Sequence, residues 1–597
     1  MQVKSGSLLL PLLGVCLSCR SSPPRGAPLF EDVAKQSGID FWQYSGATGE
    51  FLLPEMVGSG AALIDYDNDG DMDVFLVQGY PADPQGRAIV PVPAGWKPGN
   101  RLFRNNLNPS GKLTFTDVTD SAGLGHAGQG MGVAAGDYDN DGYTDLYVTN
   151  YDHNILYHNN GNGTFTDATA SAGVASSGWS TSAAFIDFDR DGLLDLAVVH
   201  YVQFYPRPCY SPQGSKDYCG PQPFEGSVTQ LYRNLGNGRF KDVTVEVGLN
   251  AKKGPGLGIL TGDFGTDGYP GFMVANDGAA NYLWISSPRG VSQAEAPIKG
   301  AGQKGTPSNP HDRIFHEEGL THGLAYASDG KPRAGMGIAA GDLYGDGGEA
   351  VVVTNLPNEA FTLFKRQSNG DFTDATEESG LAHISLPYTG FGVGLFDMEN
   401  RGLLDLFSAN GGVRVMTTQQ GSGERFPYRE RKLLLRNLGR GKGFEDVTAS
   451  AGPDLQPLEV SRAAAFGDVN NDGGVDILLT NNNGPARLLL NTVRNRGHWL
   501  MVHAEGTRTN RSAYGSVVEL VRKDGTSIKR WVRGDGSYLA ANDPRVHFGL
   551  GEAKAVDRIQ IHWLAGECES WKQTAVDTIV NLKEGTGQPC ATLSAVR

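Results

Sequence analysis

The sequence predicts an all-β protein, a seven-bladed β-propeller followed by a small β-sandwich-like C-terminal domain. Three observations carry this. The 597 residues include 82 Gly and 31 Pro without a G-X-Y period, as expected for many short strands joined by frequent turns. A small-residue apolar stretch leading into an acidic loop recurs seven times, as in GSGAALIDYD, GMGVAAGDYD and SRAAAFGDVN, with loops beginning at Asp65, Asp137, Asp187, Asp263, Asp342, Asp397 and Asp468. A closing element also recurs seven times, from FEDVAKQSGI at 30 and FTDVTDSAGL at 115 to FEDVTASAGP at 444. Its first copy precedes the first loop, and no copy follows the last. Seven complete units arise only if the N-terminal strand, within 30–40, closes the last one. The array over 30–493 is therefore a ring of four-stranded units, and closure covers the strand edges that an open array would expose.

The chain opens MQVKSGSLLLPLLGVCLSCRSSPPRGAP. Lys4 and the apolar run Leu8–Leu17 are too short for a membrane span and suit a secretory leader over 1–19, with a Ser/Pro/Gly linker over 20–29. The leader resembles a bacterial lipoprotein signal, which implies lipidation of Cys19; plain signal-peptidase cleavage is the alternative. Either route exports the chain, as a periplasmic or cell-surface lipoprotein or as a secreted protein. Membrane contact is expected only through that N-terminal lipid. Cys209 and Cys219 bracket one loop and Cys568 and Cys590 the tail, which in an exported chain points to two disulfides. Zinc is the weaker reading, because no CxxC pair occurs.

Four loops keep the spacing D-x-D/N-x-D-G-x-x-D. They offer Asp65, Asp67, Asp69 and Asp73; Asp137, Asp139, Asp141 and Asp145; Asp187, Asp189, Asp191 and Asp195; and Asp468, Asn470, Asp472 and Asp476. Calcium takes six to eight hard oxygen ligands, and Gly at position six permits the tight turn that lets these side chains converge. The main-chain carbonyl at position seven (Asp71, Tyr143, Leu193, Gly474) is the expected fifth protein ligand. An EF-hand would need Glu at position twelve and flanking helices. Position twelve holds Leu76, Val148, Val198 and Leu479, inside apolar strand-like runs. A metal-free acidic turn would crowd several carboxylates into one short loop. About four calcium sites are expected. Loops four (DFGTDGYPG), five (DLYGDGGEA) and six (DMENRGLLD) have lost ligands. In loop six, Arg401 is expected to replace the ion by pairing with Asp397 and Asp405. The seven copies resemble FG-GAP/VCBS propellers, as in the integrin α head, and that resemblance implies the same ring with calcium-bearing hairpin loops.

The acidic loops join first to second strands. Three insertions, 81–99, 206–228 and 413–431, join second to third strands and are expected on the opposite face. A fourth, 286–313, follows a third strand and is expected on the acidic-loop face. Exposed aromatic and Arg side chains on a rigid scaffold are typical of binding surfaces. The candidate binding face is Trp96, Trp179, Tyr205, Tyr210, Tyr218, Phe224, Tyr388, Arg414, Arg425 and Tyr428; surface insertions without a role are the alternative.

From 494 the repeat stops and strand-like alternation continues to 597. GHWL (497–500), NRSAYG (510–515), GDGSYL (534–539), VHFGLG (546–551) and VDRIQIHW (556–563) resemble the ASPIC/UnbV module. Ala540-Ala541 and Tyr514 depart from its usual residues. A propeller followed by this module is similar to the cartilage acidic protein-like family, whose members are typically secreted or surface proteins.

The net charge is -15, which argues against nucleic acid as the main partner. Residues 494–597 carry 15 Lys/Arg and 11 Asp/Glu, too slight an excess to support RNA binding. GMGVAA and GMGIAA match a dinucleotide fingerprint but lead into acidic turns, not helices. RGD at 533–535 reads as a turn rather than an adhesion tripeptide. No catalytic constellation stands out. The expected function is an exported, calcium-stabilised, non-enzymatic scaffold for a protein or glycan; a carbohydrate-active enzyme with a site in the propeller mouth is the alternative.

Overall fold

The computed structural model describes residues 27–590, apart from 80–88, 91–94, 212–213, 266, 290–310, 440 and 574. The leader with Cys19, and most of insertions 81–99 and 286–313, lie outside the described residues.

Seven sheets built on four antiparallel strands follow one another along the chain. The second is typical: Gly130–Gly136, Asp145–Asn150, Ile155–Asn159 and Phe165–Asp167, with the acidic loop between its first two strands. The seventh takes three strands from Ser461–Gly467, Asp476–Asn481 and Arg487–Asn491, and its fourth from Phe30–Asp32. Phe30 pairs with Asn491 and Asp32 with Leu489, so the N-terminal copy closes the last unit as the offset requires. Arg487 fixes this join, 2.7 Å from Asp32 Oδ2. The first strands of successive sheets pack on one another in a closed cycle, the seventh returning to the first.

The G-x-G stretches are explained by that packing. A Cβ at Gly337 would stand 1.9 Å from the Phe391 carbonyl oxygen, and one at Gly258 would stand 2.4 Å from that of Met336. These glycines let neighbouring first strands approach; they do not open a nucleotide site.

Beyond 494, a three-stranded sheet (Val546–Gly551, His498–Glu505, Thr578–Lys583) and a five-stranded sheet share one core of Leu500, Val502, Val518, Leu520, Phe548, Ile559 and Ile561. This module sits on the acidic-loop face: Ser512 Oγ accepts from Asp137 N (3.1 Å), and Asn140 Oδ1 accepts from Arg511 N (2.8 Å). Tyr514 is buried and donates to the Ala135 carbonyl (3.0 Å).

Segment 535–541 runs into the centre of the cycle and reaches every sheet. Ala540-Ala541 pairs in parallel with Ala61-Ala62. Val133 N donates to Leu539 O, Leu539 N to Ser182 Oγ, and Thr261 N to Asp535 Oδ2. Ser537 exchanges main-chain bonds with Ile338, accepts from Val393 N, and donates to Ala464 O (2.6 Å). Tyr538 is fully buried, with its hydroxyl on Val57 O (3.0 Å) and its ring edge-on to Phe391. The Arg-Gly-Asp tripeptide is engaged inward, Arg533 pairing with Glu349 and Asp535 held by Thr261.

Candidate metal centres

Each intact loop is shaped by its own carboxylates. In loop two, Asp137 accepts from the main-chain N–H of Asp141 (3.1 Å) and Gly142 (2.8 Å), Asp141 from Tyr143 N (2.9 Å), and Asp145 from Tyr138 N (3.1 Å) and Asn159 N (2.8 Å). Loops one, three and seven repeat the pattern through Asp65, Asp69 and Asp73; Asp187, Asp191 and Asp195; and Asp468, Asp472 and Asp476. The turn needs positive φ at positions four and six: Asn140 has φ 59° and Gly142 φ 98°.

This curl brings ligand atoms of Asp65, Asp67 and Asp73 within 4.8 Å of one another, and likewise those of Asp137, Asp139 and Asp141, and of Asp187, Asp189 and Asp195. Oδ1 of Asp67, Asp139 and Asp189 is buried without a hydrogen-bond partner. Orphaned carboxylate oxygens beside other carboxylates are the donor set a hard dication satisfies. Burial first, then the neighbouring charges, push Asp137 up to about 7 and Asp187 up to about 8. Loop seven is looser: Asn470 donates to Asp472 Oδ2 (3.3 Å), and Arg496 takes Asp472 Oδ1 at 2.7 Å.

In loops four and six a cation stands beside the remaining carboxylates. Arg313 lies 2.5 Å from Asp267 and stacks on Tyr269 at 3.5 Å. Arg401 pairs with Asp405 (2.8 Å) and Glu399 (2.7 Å), whereas Asp397 receives its main-chain N–H. The expected Arg401–Asp397 pair is thus replaced by Arg401–Glu399, because Asp397 caps the turn. Lys365 lies over Tyr344 of loop five at 4.4 Å.

Two sets of residues escaped the sequence reading. The Asn that ends a third strand latches its sheet to the preceding one: Asn105 donates to Val469 O, Asn159 to Tyr66 O, Asn234 to Tyr138 O, Asn437 to Leu343 O and Asn491 to Met398 O. Position-four Asn side chains bridge loop to loop, from Asn400 to Gly473 O, Asn471 to Gly70 O, Asn68 to Gly142 O and Asn140 to Gly192 O. The Asn recurring at the end of five of the seven third strands was the available signal.

On the opposite face the candidate binding set is corrected. Trp179, Tyr218, Phe224 and Tyr428 are buried, none more than 8% exposed. Trp179 is enclosed edge-on by Tyr151, Tyr201 and Phe204. Tyr218 and Tyr428 join Phe426, Met56 and Val460 in one apolar cluster, and the Tyr218 hydroxyl donates to Glu55 (2.9 Å). The insertions pack on each other, with Val415 N on Asp217 (3.2 Å) and Arg414 on Tyr218 O (3.1 Å). Trp96 and Tyr388 are half-buried, Trp96 donating to Trp42 O (3.2 Å) and Tyr388 accepting from Arg431 (2.5 Å). Tyr205, Tyr210, Arg414 and Arg425 remain exposed. Two disulfides join Cys209 to Cys219 and Cys568 to Cys590. On the acidic-loop face, His311, a described end of the fourth insertion, bonds Asp189 O (2.7 Å).

The chain matches the FG-GAP-like repeat over 65–148 and 137–198, and the ASPIC and UnbV family over 506–589. It is 24% identical over 291 residues to cartilage acidic protein 1 of Mus musculus and 23% over 339 residues to that of Homo sapiens, spanning 41% and 55% of this chain. Each match spans only 44% of the relative's length. With the Xenopus tropicalis protein the identity is 23% over 86% of this chain and 71% of the relative. Among solved structures, BBS1N in complex with ARL6DN is similar over 76% of this chain and 97% of that one at 9% identity, with a TM-score of 0.35. The V. cholerae biofilm matrix protein Bap1 is similar over 84% of this chain and 99% of that one, at 10% identity and a TM-score of 0.31. Both likenesses are too loose to bear on unit number or binding.

Proposed function

We propose that this FG-GAP repeat protein with a C-terminal UnbV module is an exported, non-enzymatic scaffold, a seven-bladed propeller whose acidic loops hold calcium. The observation that carries this is the set of buried, unpartnered carboxylate oxygens in loops linked to one another by Asn side chains. Asp65, Asp67 and Asp73 would hold one ion, with Asp69 completing the loop; the corresponding residues of loops two, three and seven would hold the others. Calcium would supply charge neutralisation and fixed geometry, not chemistry. The cycle of inner-strand contacts supports seven blades, and the two disulfides support export.

The binding role belongs to the face opposite the acidic loops. Its accessible candidates are Tyr205, Tyr210, Arg414 and Arg425, held by interlocked insertions, and the partner is a protein or glycan. Tyr538 and Leu539 fill the axis, leaving less room for a catalytic site in the propeller mouth. The test is affinity capture by the mature chain in millimolar calcium, compared with a Tyr205→Ala/Tyr210→Ala variant. Capture that is unaffected by the double substitution would remove this face from the proposal.

A further inference from the structure

Loop two has a neighbour that the other intact loops lack. The residue before the latch Asn on the third strand is Arg104, Arg233 and Leu490 beside loops one, three and seven, but His158 beside loop two. In sheet three the Arg233 guanidinium lies 2.5 Å from Asp189 Oδ2. Such a group can counter carboxylates but has no lone pair with which to bind a metal. His158 brings a ring nitrogen to the corresponding place. Its Nδ1 is 3.3 Å from Asp139 Oδ2 and 3.3 Å from Asp145 Oδ1. Nδ1 is shut off from water and faces these two carboxylates, and Asp139 Oδ1 is buried without a hydrogen-bond partner. Asp145 is fully buried and fixed by two main-chain N–H groups. Tyr138 stands edge-on to the imidazole at 6.1 Å between centroids.

Two ligands at about 2.1 Å from a common ion, seen at right to tetrahedral angles, stand about 3.0–3.4 Å apart. Both measured separations are edges of such a polyhedron. We propose that loop two, in place of the calcium assigned to it above, is a mixed nitrogen–oxygen site for a first-row transition dication, Zn2+ by preference, with His158, Asp139 and Asp145 as ligands. Imidazole suits Zn2+, whereas an all-oxygen set suits Ca2+. Loops one, three and seven, whose third strands carry Arg or Leu at this position, stay calcium sites; His311 and His547 reach main-chain oxygens of loops three and seven, Asp189 O at 2.7 Å and Gly473 O at 3.1 Å. This inference rests on reading the acidic loops as metal centres.

The test is calorimetric titration of the full, metal-stripped chain with Zn2+ in millimolar calcium. The variant is His158→Arg, which copies sheets one and three and so is compatible with the fold; His158→Leu, which copies Leu490, is the second. Circular dichroism and the melting temperature check folding. Wild type should bind Zn2+ against calcium, and either variant should weaken that binding at least about tenfold while calcium uptake elsewhere is unchanged. Pulsed electron paramagnetic resonance of the Co2+-loaded chain should show nitrogen coupling that both variants lose. Equal Zn2+ affinity in wild type and variants, or no Zn2+ binding in calcium, overturns the proposal. A chain that binds neither Zn2+ nor Ca2+ overturns the reading of the loops as metal centres.

Discussion

Asp187 is 2% exposed, and its charged form has lost most of its water. Burial and the charges of Asp189 and Asp191 hold its carboxyl up to about 8, and Asp65 is held up to about 6. An unfolded aspartate titrates near 3.9, so the metal-free fold binds more protons than the unfolded chain. Its stability is therefore fullest below about pH 4 as far as these groups go, and falls as pH rises through 6 to 8. In chelator the melting temperature should drop between pH 5 and pH 8. Millimolar calcium should cancel most of that drop by pairing the charges, and a flat chelated profile would refute the assignment. Asp187→Ala should remove one site, reducing the calcium-dependent stabilisation by about 1.4 kcal/mol at ten times the dissociation constant. The latch residues act at the same scale. Asn159 is fully buried and donates to both Tyr66 O and Thr144 O; Asn159→Ala leaves two carbonyls unmet and should cost about 2–4 kcal/mol in denaturant unfolding.

The acidic loop is the element most legible in the sequence, because its carboxylates lie within nine residues and its glycine turn is local. The insertions were less legible. Tyr218 and Tyr428 come from insertions more than two hundred positions apart, and only the folded chain brings them together at 5.6 Å between ring centroids. An aromatic residue in a long loop reads as exposed until its partner loop is known. Arg313 and His158 were missed for a related reason. Each lies on a later strand of its sheet than the loop it faces, and strand register decides the meeting. The Cys209–Cys219 bond closes a ten-residue separation beneath the exposed Tyr210. A Cys209→Ser/Cys219→Ser variant should lose about 2–3 kcal/mol in the chain-entropy account. It should also become susceptible to proteolysis within 206–228; full resistance would show that packing alone holds the insertion.

At the scale of the whole molecule, the closed cycle of sheets is joined twice, by Phe30–Asp32 at its rim and by 535–541 at its centre. Because the central segment bonds to every sheet, the repeats and the C-terminal module should melt in one calorimetric transition. Tyr538→Ala should cost about 3–5 kcal/mol and resolve that transition into two; two transitions in the wild type would contradict the coupling. The sequence by itself determined the all-β class, the seven-fold recurrence of the repeat with its N-terminal offset, the acidic nonapeptides and both cysteine pairs. Each of these is a pattern of spacing along the chain. Tertiary structure alone decided that the C-terminal module reaches the centre of the cycle, that Trp179, Tyr218, Phe224 and Tyr428 are core, and which cation or imidazole faces a loop. These depend on contacts between residues far apart in the chain, where close packing and burial, not local spacing, select the partner.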